Sequence, residues 1–139
     1  DVVFKSGVPL TMAGLDVTLK ALVFPEDFER IRALGNPIAV VVAEWLDFFY
    51  NFHRSIGYAG APVHDAVAVA ALIKPEILTV KDYYVQVEIS GDFCRGATVA
   101  DHYGFSHQPP NTHALVDIDR EGFIDLVAEA AAWYGKESE

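Results

Sequence analysis

Residues 60–73 have the sequence Gly-Ala-Pro-Val-His-Asp-Ala-Val-Ala-Val-Ala-Ala-Leu-Ile, and this stretch decides how the chain is expected to fold. Gly60 and Pro62 place a loop at its start, because both residue types interrupt regular structure. No polar side chain follows Asp65 up to residue 73, and Lys74 and Pro75 then close the segment as a helix end should. Alanine and leucine favour helix, although the valines would tolerate a strand. We therefore predict a short, fully buried helix over residues 65–73.

Two longer helices are expected on either side of this segment. Pro37 opens a helix to about Ile56 whose polar residues recur at intervals of three and four and so form one narrow stripe: Glu44, Asp47, Asn51 and then Arg54 or Ser55. The remaining positions are apolar and rich in aromatics, which predicts that this helix is mostly buried. Residues 120–134 form an amphipathic pattern, and Gly135 follows at the position expected of a C-cap.

Several short segments have the character of strands. Residues 1–4 and 8–13 are apolar runs around a turn, which predicts two buried strands. Residues 83–89 alternate apolar and polar side chains, and residues 97–100 and 113–118 are further candidates. Asp16 is a plausible N-cap for a short helix that follows. The mixture of strands and helices indicates an α/β or α+β fold.

Composition bounds the class of protein. The chain has 139 residues, 52% of them hydrophobic, which is typical of one folded domain. A net charge of −10 repels phosphate backbones and anionic membrane surfaces, so we expect no nucleic-acid and no membrane partner. The longest apolar stretch, residues 38–52, is interrupted by Glu44 and Asp47 and is too short and too charged to span a bilayer. Cys94 is the sole cysteine, so no internal disulfide is possible, and we expect a reducing compartment, the cytosol.

His64 and Asp65 are the residues most suited to chemistry, and each has two interpretations. Asp65 could accept backbone N–H groups as a helix N-cap, which the local sequence favours. It could instead be an oxygen ligand for Ca²⁺, which takes six to eight oxygens. His64 could be an ordinary hydrogen-bonded residue, or it could donate a proton near neutral pH. The local residues leave both pairs of interpretations open.

The segment Gly60 to Ala70 closely resembles the second signature of the inosine-uridine nucleoside hydrolase family. Other parts of the chain resemble further family segments in the same order and with the same spacing: residues 8–18 (VPLTMAGLDVT), Arg95-Gly-Ala-Thr98-Val-Ala-Asp101, Pro110-Asn111 and Val116-Asp117. The resemblance implies an α/β fold. Residues 1–139 would be the C-terminal portion of the mixed α/β nucleoside-hydrolase domain, with short strands and buried helices.

The family hydrolyses the N-glycosidic bond of ribonucleosides to ribose and free base. By resemblance, Asp65 would be one ligand of a calcium ion that also holds the ribose hydroxyls and the attacking water. His64 would be the catalytic residue that protonates the leaving base. Residues near the end of the preceding helix contact the base in the family, and the matching positions are Phe52 and Ile56. Core packing is an equal alternative for these two, and apolar side chains leave the preference for purine or pyrimidine open.

The chain departs from the family pattern in two ways. The N-terminal cluster Asp-x-Asp-Pro-Gly-x-Asp-Asp, which supplies most calcium ligands and the general base, is absent, as is the Asn-rich ribose-binding segment. We therefore expect a fragment of a longer chain, with an incomplete Ca²⁺ site and no activity on its own. Leu19 stands where the family often has histidine.

Two partner types and a second function follow from this interpretation. Besides a ribonucleoside substrate, we expect the chain to form a homo-oligomer or to pair with the missing N-terminal half, since half a fold leaves apolar surface and open strand edges. The alternative function is that of a truncated, non-catalytic paralogue acting as an interaction module. His102, His107 and His113 are expected to lie in a solvated loop rather than to form a metal site.

Overall fold

The computed structural model describes residues 1–136 as a mixture of short strands and helices, which confirms the predicted α/β class. The elements in chain order are α1 (Val2–Lys5), β1 (Thr11–Met12), α2 (Leu15–Thr18), β2 (Leu22–Val23), α3 (Pro25–Arg32), α4 (Pro37–Ser55), β3 (Ala61–Pro62), α5 (His64–Ile73), a 3₁₀ turn (Pro75–Ile77), β4 (Leu78–Tyr83), β5 (Val85–Val87), β6 (Thr98–Ala100), β7 (Thr112–Ile118) and α6 (Arg120–Lys136).

The strands form one three-stranded sheet and two pairs. In the larger sheet β7 is central, with β1 parallel on one side and β4 antiparallel on the other. The pairs β2–β3 and β5–β6 are both antiparallel. The sequence patterns predicted β6 and β7 to within a residue or two but missed most of β4. Four of the six residues of β4 are exposed, so its sequence lacks the alternation that marks a half-buried strand.

The hydrophobic core lies where α3, α4, α5 and α6 meet the edge of the sheet. Its larger buried side chains are Val17, Val23, Phe28, Ile31, Leu46, Val67, Leu115, Phe123 and Ile124. Asn36 caps the start of α4 by accepting the Ala39 N–H at 2.8 Å. Gly135 is buried inside α6 rather than at its C-cap, so that prediction is wrong. A Cβ at Gly135 would lie 2.1 Å from Asn36 Cγ, so glycine lets α6 cross the start of α4.

An ionic contact between Arg120 and Asp27 fastens α6 to α3 and β2. Arg120 Nε donates to the Leu22 carbonyl at 2.8 Å, and the guanidinium pairs with the Asp27 carboxylate. Asp27 also accepts the Phe24 N–H at 2.7 Å. Burial raises the pKa of Asp27, while the Phe24 N–H and Arg120 act in the opposite direction. The network fixes β2 next to α2, and both elements lead to the candidate site.

The N-terminal strand predictions are wrong or too long. Residues 2–5 form a helical turn in which the Lys5 ammonium pairs with Asp1 at 2.8 Å, and Val2 is 82% exposed. Apolar residues there have no strand to pair with, so the local helical turn forms instead. The run 8–13 contributes only β1 (Thr11–Met12). Gly14, and not Asp16, is the N-cap of α2. The run 83–89 is divided between the end of β4 and β5.

The bounds of α4 and α5 agree with prediction, but their predicted burial is wrong. In α5 only Val67 and Ala70 are buried. In α4 the buried residues are Ala39, Ala43, Leu46 and His53, whereas Trp45 and Phe48 are 69% and 77% exposed. A helix that is apolar all round needs cover on every side, and residues 1–136 cover only one. None of the helices in this range has the length and apolar character needed to cross a bilayer.

Candidate active site

His64 is placed by the β2–β3 pair, which holds the residues directly before it. Leu22 pairs with Pro62 and Val23 with Ala61, and the Val63 N–H donates to the Ala21 carbonyl at 3.3 Å. The neighbouring Gly60 permits this approach, because a Cβ there would lie 2.9 Å from the Val23 carbonyl oxygen. His64 then begins α5. The chain therefore enters α5 beside α2, with the histidine at the junction.

Thr18 makes the principal contact with the His64 ring. Its Oγ1 lies 2.8 Å from His64 Nδ1, across 46 residues of sequence. Thr18 is the last residue of α2 and is only 2% exposed, whereas His64 is half-buried. The sequence did not single out Thr18 as a site residue. The only signal available was its position at the end of the family-like segment 8–18, next to Leu19, which is the C-cap of α2.

Asp65 lies in the first turn of α5 but does not cap it. The N-cap is Val63, without a side-chain hydrogen bond, so the capping interpretation of Asp65 is wrong. The Asp65 side chain is exposed, and its carboxylate makes no hydrogen bond or ion pair within residues 1–136. A free carboxylate is suited to binding a hard cation. Over the same range, no three His, Cys, Asp or Glu side chains are grouped so that they could hold a metal.

Phe52 and Ile56 are surface residues rather than core residues in this chain. They are 52% and 56% exposed near the C-terminal end of α4, the helix that packs against β3. They belong to a stripe of exposed apolar side chains spaced by three or four residues along α4: Val41, Trp45, Phe48, Phe52 and Ile56. Core packing within residues 1–136 therefore does not explain them. We call this set the α4 stripe.

Three polar residues of the other family-like segments have structural contacts instead. Asp101 accepts hydrogen bonds from the backbone N–H of Phe105 and from both the N–H and the hydroxyl of Ser106, at 2.6–3.0 Å. Asn111 bonds to both the N–H and the carbonyl of Val85, at 2.8 and 3.0 Å. Asp117 pairs with Lys20 at 3.0 Å, and this hydrogen bond lowers its pKa. These residues hold loops and strands together away from His64.

Comparison with known proteins places these features in one family. The sequence pattern of the inosine-uridine preferring nucleoside hydrolases matches residues 1–125. The chain belongs to this family. Among curated relatives, the pyrimidine-specific ribonucleoside hydrolases RihA of Citrobacter koseri and of an Enterobacter species are each 49% identical to it over 96% of this chain and 44% of their own length. The chain thus spans less than half the length of these nucleoside hydrolases.

Solved structures of nucleoside hydrolases have the same fold. The purine-preferring ribonucleoside hydrolase from Gardnerella vaginalis superposes with a TM-score of 0.80 and 28% identity, over 95% of this chain and 43% of that one. A plant nucleoside hydrolase, PpNRh1, superposes with a TM-score of 0.79 at 23% identity, over 95% of this chain and 44% of that one, which shows likeness of fold alone. The resemblance seen in the sequence motifs is therefore confirmed at the level of family and fold.

Proposed function

We propose that the chain supplies the C-terminal part of a ribonucleoside N-hydrolase, in which His64 donates a proton to the leaving base and Asp65 is one calcium ligand. The observation that carries the proposal is the arrangement at the start of α5. There a histidine ring is held at one nitrogen by buried Thr18, and the next residue has a free carboxylate. This pairs a positioned proton donor with a cation ligand, the two functions that this hydrolysis requires.

The reaction exchanges one bond at the anomeric carbon for another. The bond from ribose C1′ to the base nitrogen breaks, and its electron pair leaves with the base. The oxygen of water forms the new bond to C1′, through a transition state that resembles an oxocarbenium ion. His64 transfers its proton to the departing base, which is a poor anion and gains from protonation. The proton lost by the water passes to a general base that lies outside residues 1–136.

The donor chemistry at Asp65 fits calcium as a single ligand. Its carboxylate is exposed and unpaired within residues 1–136, and oxygen is the ligand atom that Ca²⁺ prefers. When bound, the cation would supply Lewis-acid stabilisation to the ribose hydroxyls and the water. Since these residues contain no larger metal-binding group, the other ligands must come from the N-terminal half of the family fold.

The base would meet the C-terminal end of the α4 stripe. Phe52 and Ile56 offer half-exposed apolar surface against which an aromatic base can stack. They have no polar atoms with which to distinguish bases by hydrogen bonding. The curated relatives at 49% identity are pyrimidine-specific, whereas the Gardnerella vaginalis enzyme at 28% identity is purine-preferring. We therefore take uridine and cytidine as the preferred substrates.

The partner that fits the exposed faces is the N-terminal half of the same fold. Beside the α4 stripe, an apolar groove of 310 Å³ runs between α4, α5 and α6, lined in part by Ile38, Val42, Val69, Ile73, Leu126 and Val127. Exposed apolar surface of this extent marks an interface. The relatives carry more than half of their length outside the matched region, enough to cover it. A homo-oligomer through the same faces is the competing outcome, and Cys94 as a free thiol suits a reducing cytosol.

The test is ribose release from uridine, cytidine and inosine in the presence of Ca²⁺. The chain is assayed alone and in a joined protein, in which it replaces the matching 44% of Citrobacter koseri RihA. We expect no activity from the chain alone and pyrimidine-preferring activity from the joined protein. Activity of the isolated chain, or a folded but inactive joined protein, contradicts the proposal.

His64 is tested by substitution in the joined protein. His64→Gln should lower kcat by roughly 10²–10⁴-fold, the range for loss of a general acid. His107→Asn is the matched control, because His107 lies in an exposed loop with φ 55°, a conformation that asparagine adopts readily. Equal kcat values for the two variants would refute the role of His64.

A further inference from the structure

We propose that Thr18 is a positioning residue that selects the tautomer of His64. The Thr18 hydroxyl donates its hydrogen to His64 Nδ1, so that the neutral ring carries its own proton on Nε2. The 2.8 Å contact between Oγ1 and Nδ1 is compatible with either direction of donation. The direction follows from what else surrounds the hydroxyl.

The surroundings of Thr18 leave its hydroxyl hydrogen only one acceptor. Thr18 is 2% exposed, and within residues 1–136 its Oγ1 has no hydrogen-bond partner besides His64 Nδ1. If the ring donated to Oγ1 instead, the hydroxyl hydrogen would be buried without an acceptor. Burying an unsatisfied donor is costly, whereas a hydroxyl that donates to an imidazole nitrogen is fully satisfied as a donor. The burial therefore favours Thr18 as the donor.

The backbone around Thr18 holds the hydroxyl in place. The Thr18 N–H donates to the Gly14 carbonyl at 3.0 Å, and Val17 beside it is completely buried. Two residues on, the Lys20 ammonium binds the Val116 carbonyl at 2.9 Å and the Asp117 carboxylate at 3.0 Å. These contacts tie the end of α2 to the central strand β7. The hydroxyl is thus presented to His64 from the sheet rather than from a free loop.

The consequence for catalysis rests on the proposed function. A proton donor must present an N–H, and with Nδ1 occupied by Thr18 the ring has only Nε2 to present. The opposite tautomer would present a lone pair at Nε2 and could not protonate the base from its neutral form. Thr18 thereby keeps His64 in the form that can donate, without itself meeting the substrate.

The tautomer is read directly by nitrogen-15 NMR of the histidine side chains in the 139-residue chain, at about pH 8.5, where imidazole is neutral. His64→Gln assigns the signals by loss. We expect the His64 Nδ1 shift of an unprotonated nitrogen and the Nε2 shift of a protonated one. A protonated Nδ1, or an equal mixture of tautomers, overturns the assignment in the unsubstituted chain alone.

Variants separate positioning from a merely structural role. Thr18→Ser keeps a hydroxyl and should keep the tautomer, whereas Thr18→Val should give a mixture. Thr112→Val is the matched control, because Thr112 is buried to a similar degree, 3% exposed, and its hydroxyl bonds to Asn111 instead. A His64 spectrum that Thr18→Val leaves unchanged contradicts the proposal.

Kinetics of the joined protein test the catalytic consequence. Thr18→Val should lower kcat about tenfold with little change in KM, a fraction of the effect of losing a general acid, and Thr18→Ser should restore it. An unchanged kcat in Thr18→Val overturns this consequence. The NMR result decides the tautomer even if the joined protein is inactive, and that inactivity would contradict the proposed function only.

Discussion

Asp65 keeps a free carboxylate one residue away from a histidine whose ring is held by Thr18. An exposed, unpaired side chain contributes little to the stability of residues 1–136, so its value must lie in what it binds. The motif around residues 60–70 identified both His64 and Asp65 from sequence. Thr18 escaped, because a contact across 46 residues leaves no trace in local pattern or spacing.

Substitution of Asp65 should therefore weaken calcium binding without weakening the fold. In the joined protein we expect Asp65→Asn to raise the calcium Kd at least tenfold, by about 1.4 kcal/mol or more, as measured by isothermal titration calorimetry. The Tm without calcium should stay unchanged, since no contact within residues 1–136 is lost. Asp92→Asn, at another exposed carboxylate, is the control. A fall in the calcium-free Tm alone would instead indicate a structural carboxylate.

Helix α4 shows which properties of an element can be predicted from its own sequence. Pro37 and the spacing of its polar residues gave its bounds, because a helix start and the helical period are local. Its burial was mispredicted, because burial depends on what packs against it. The exposed α4 stripe is accordingly the part of the element that most needs a partner.

A charge placed in the α4 stripe should prevent association. We expect Phe48→Lys to shift the isolated chain towards monomer in analytical ultracentrifugation, and to abolish its binding to a separately expressed N-terminal half. Asn51→Lys adds the same charge to the same helix at an exposed polar position and should change neither measurement. Pairing that survives Phe48→Lys would place the interface on another surface.

The loop after β6 should respond to acid through Asp101. Hydrogen bonds from Ser106, its hydroxyl first, lower the pKa of Asp101 from 3.8 to about 2. A lowered pKa means that the folded loop favours the ionised form, so this stabilisation is present above pH 3.8 and is lost as the pH falls through about 2. The amide signals of Phe105 and Ser106 should shift over that window in NMR titrations. They should not do so in Asp101→Asn, and a midpoint near 3.8 in the unsubstituted chain would refute the prediction.

For the whole molecule, the fold class and the family could be predicted from sequence, but not how the pieces assemble. Ordered motifs along the chain were sufficient for the family, which the match over residues 1–125 confirms. The pairing of β1 with β7 joins Thr11 to His113, and no local pattern encodes such a distant register. The extent of covered surface was equally unpredictable, because the covering half of the family fold is not in this sequence.

The contact between Thr18 and His64 lies entirely within this chain and forms before any partner arrives. The proposed general base and most of the calcium ligands lie on the other half. When the two halves are separate polypeptides, the pair therefore behaves as a two-input logic gate. Neither input alone turns over substrate, and at low concentrations the rate follows the product of both. Complementation of this kind would report the meeting of any two proteins to which the halves are fused.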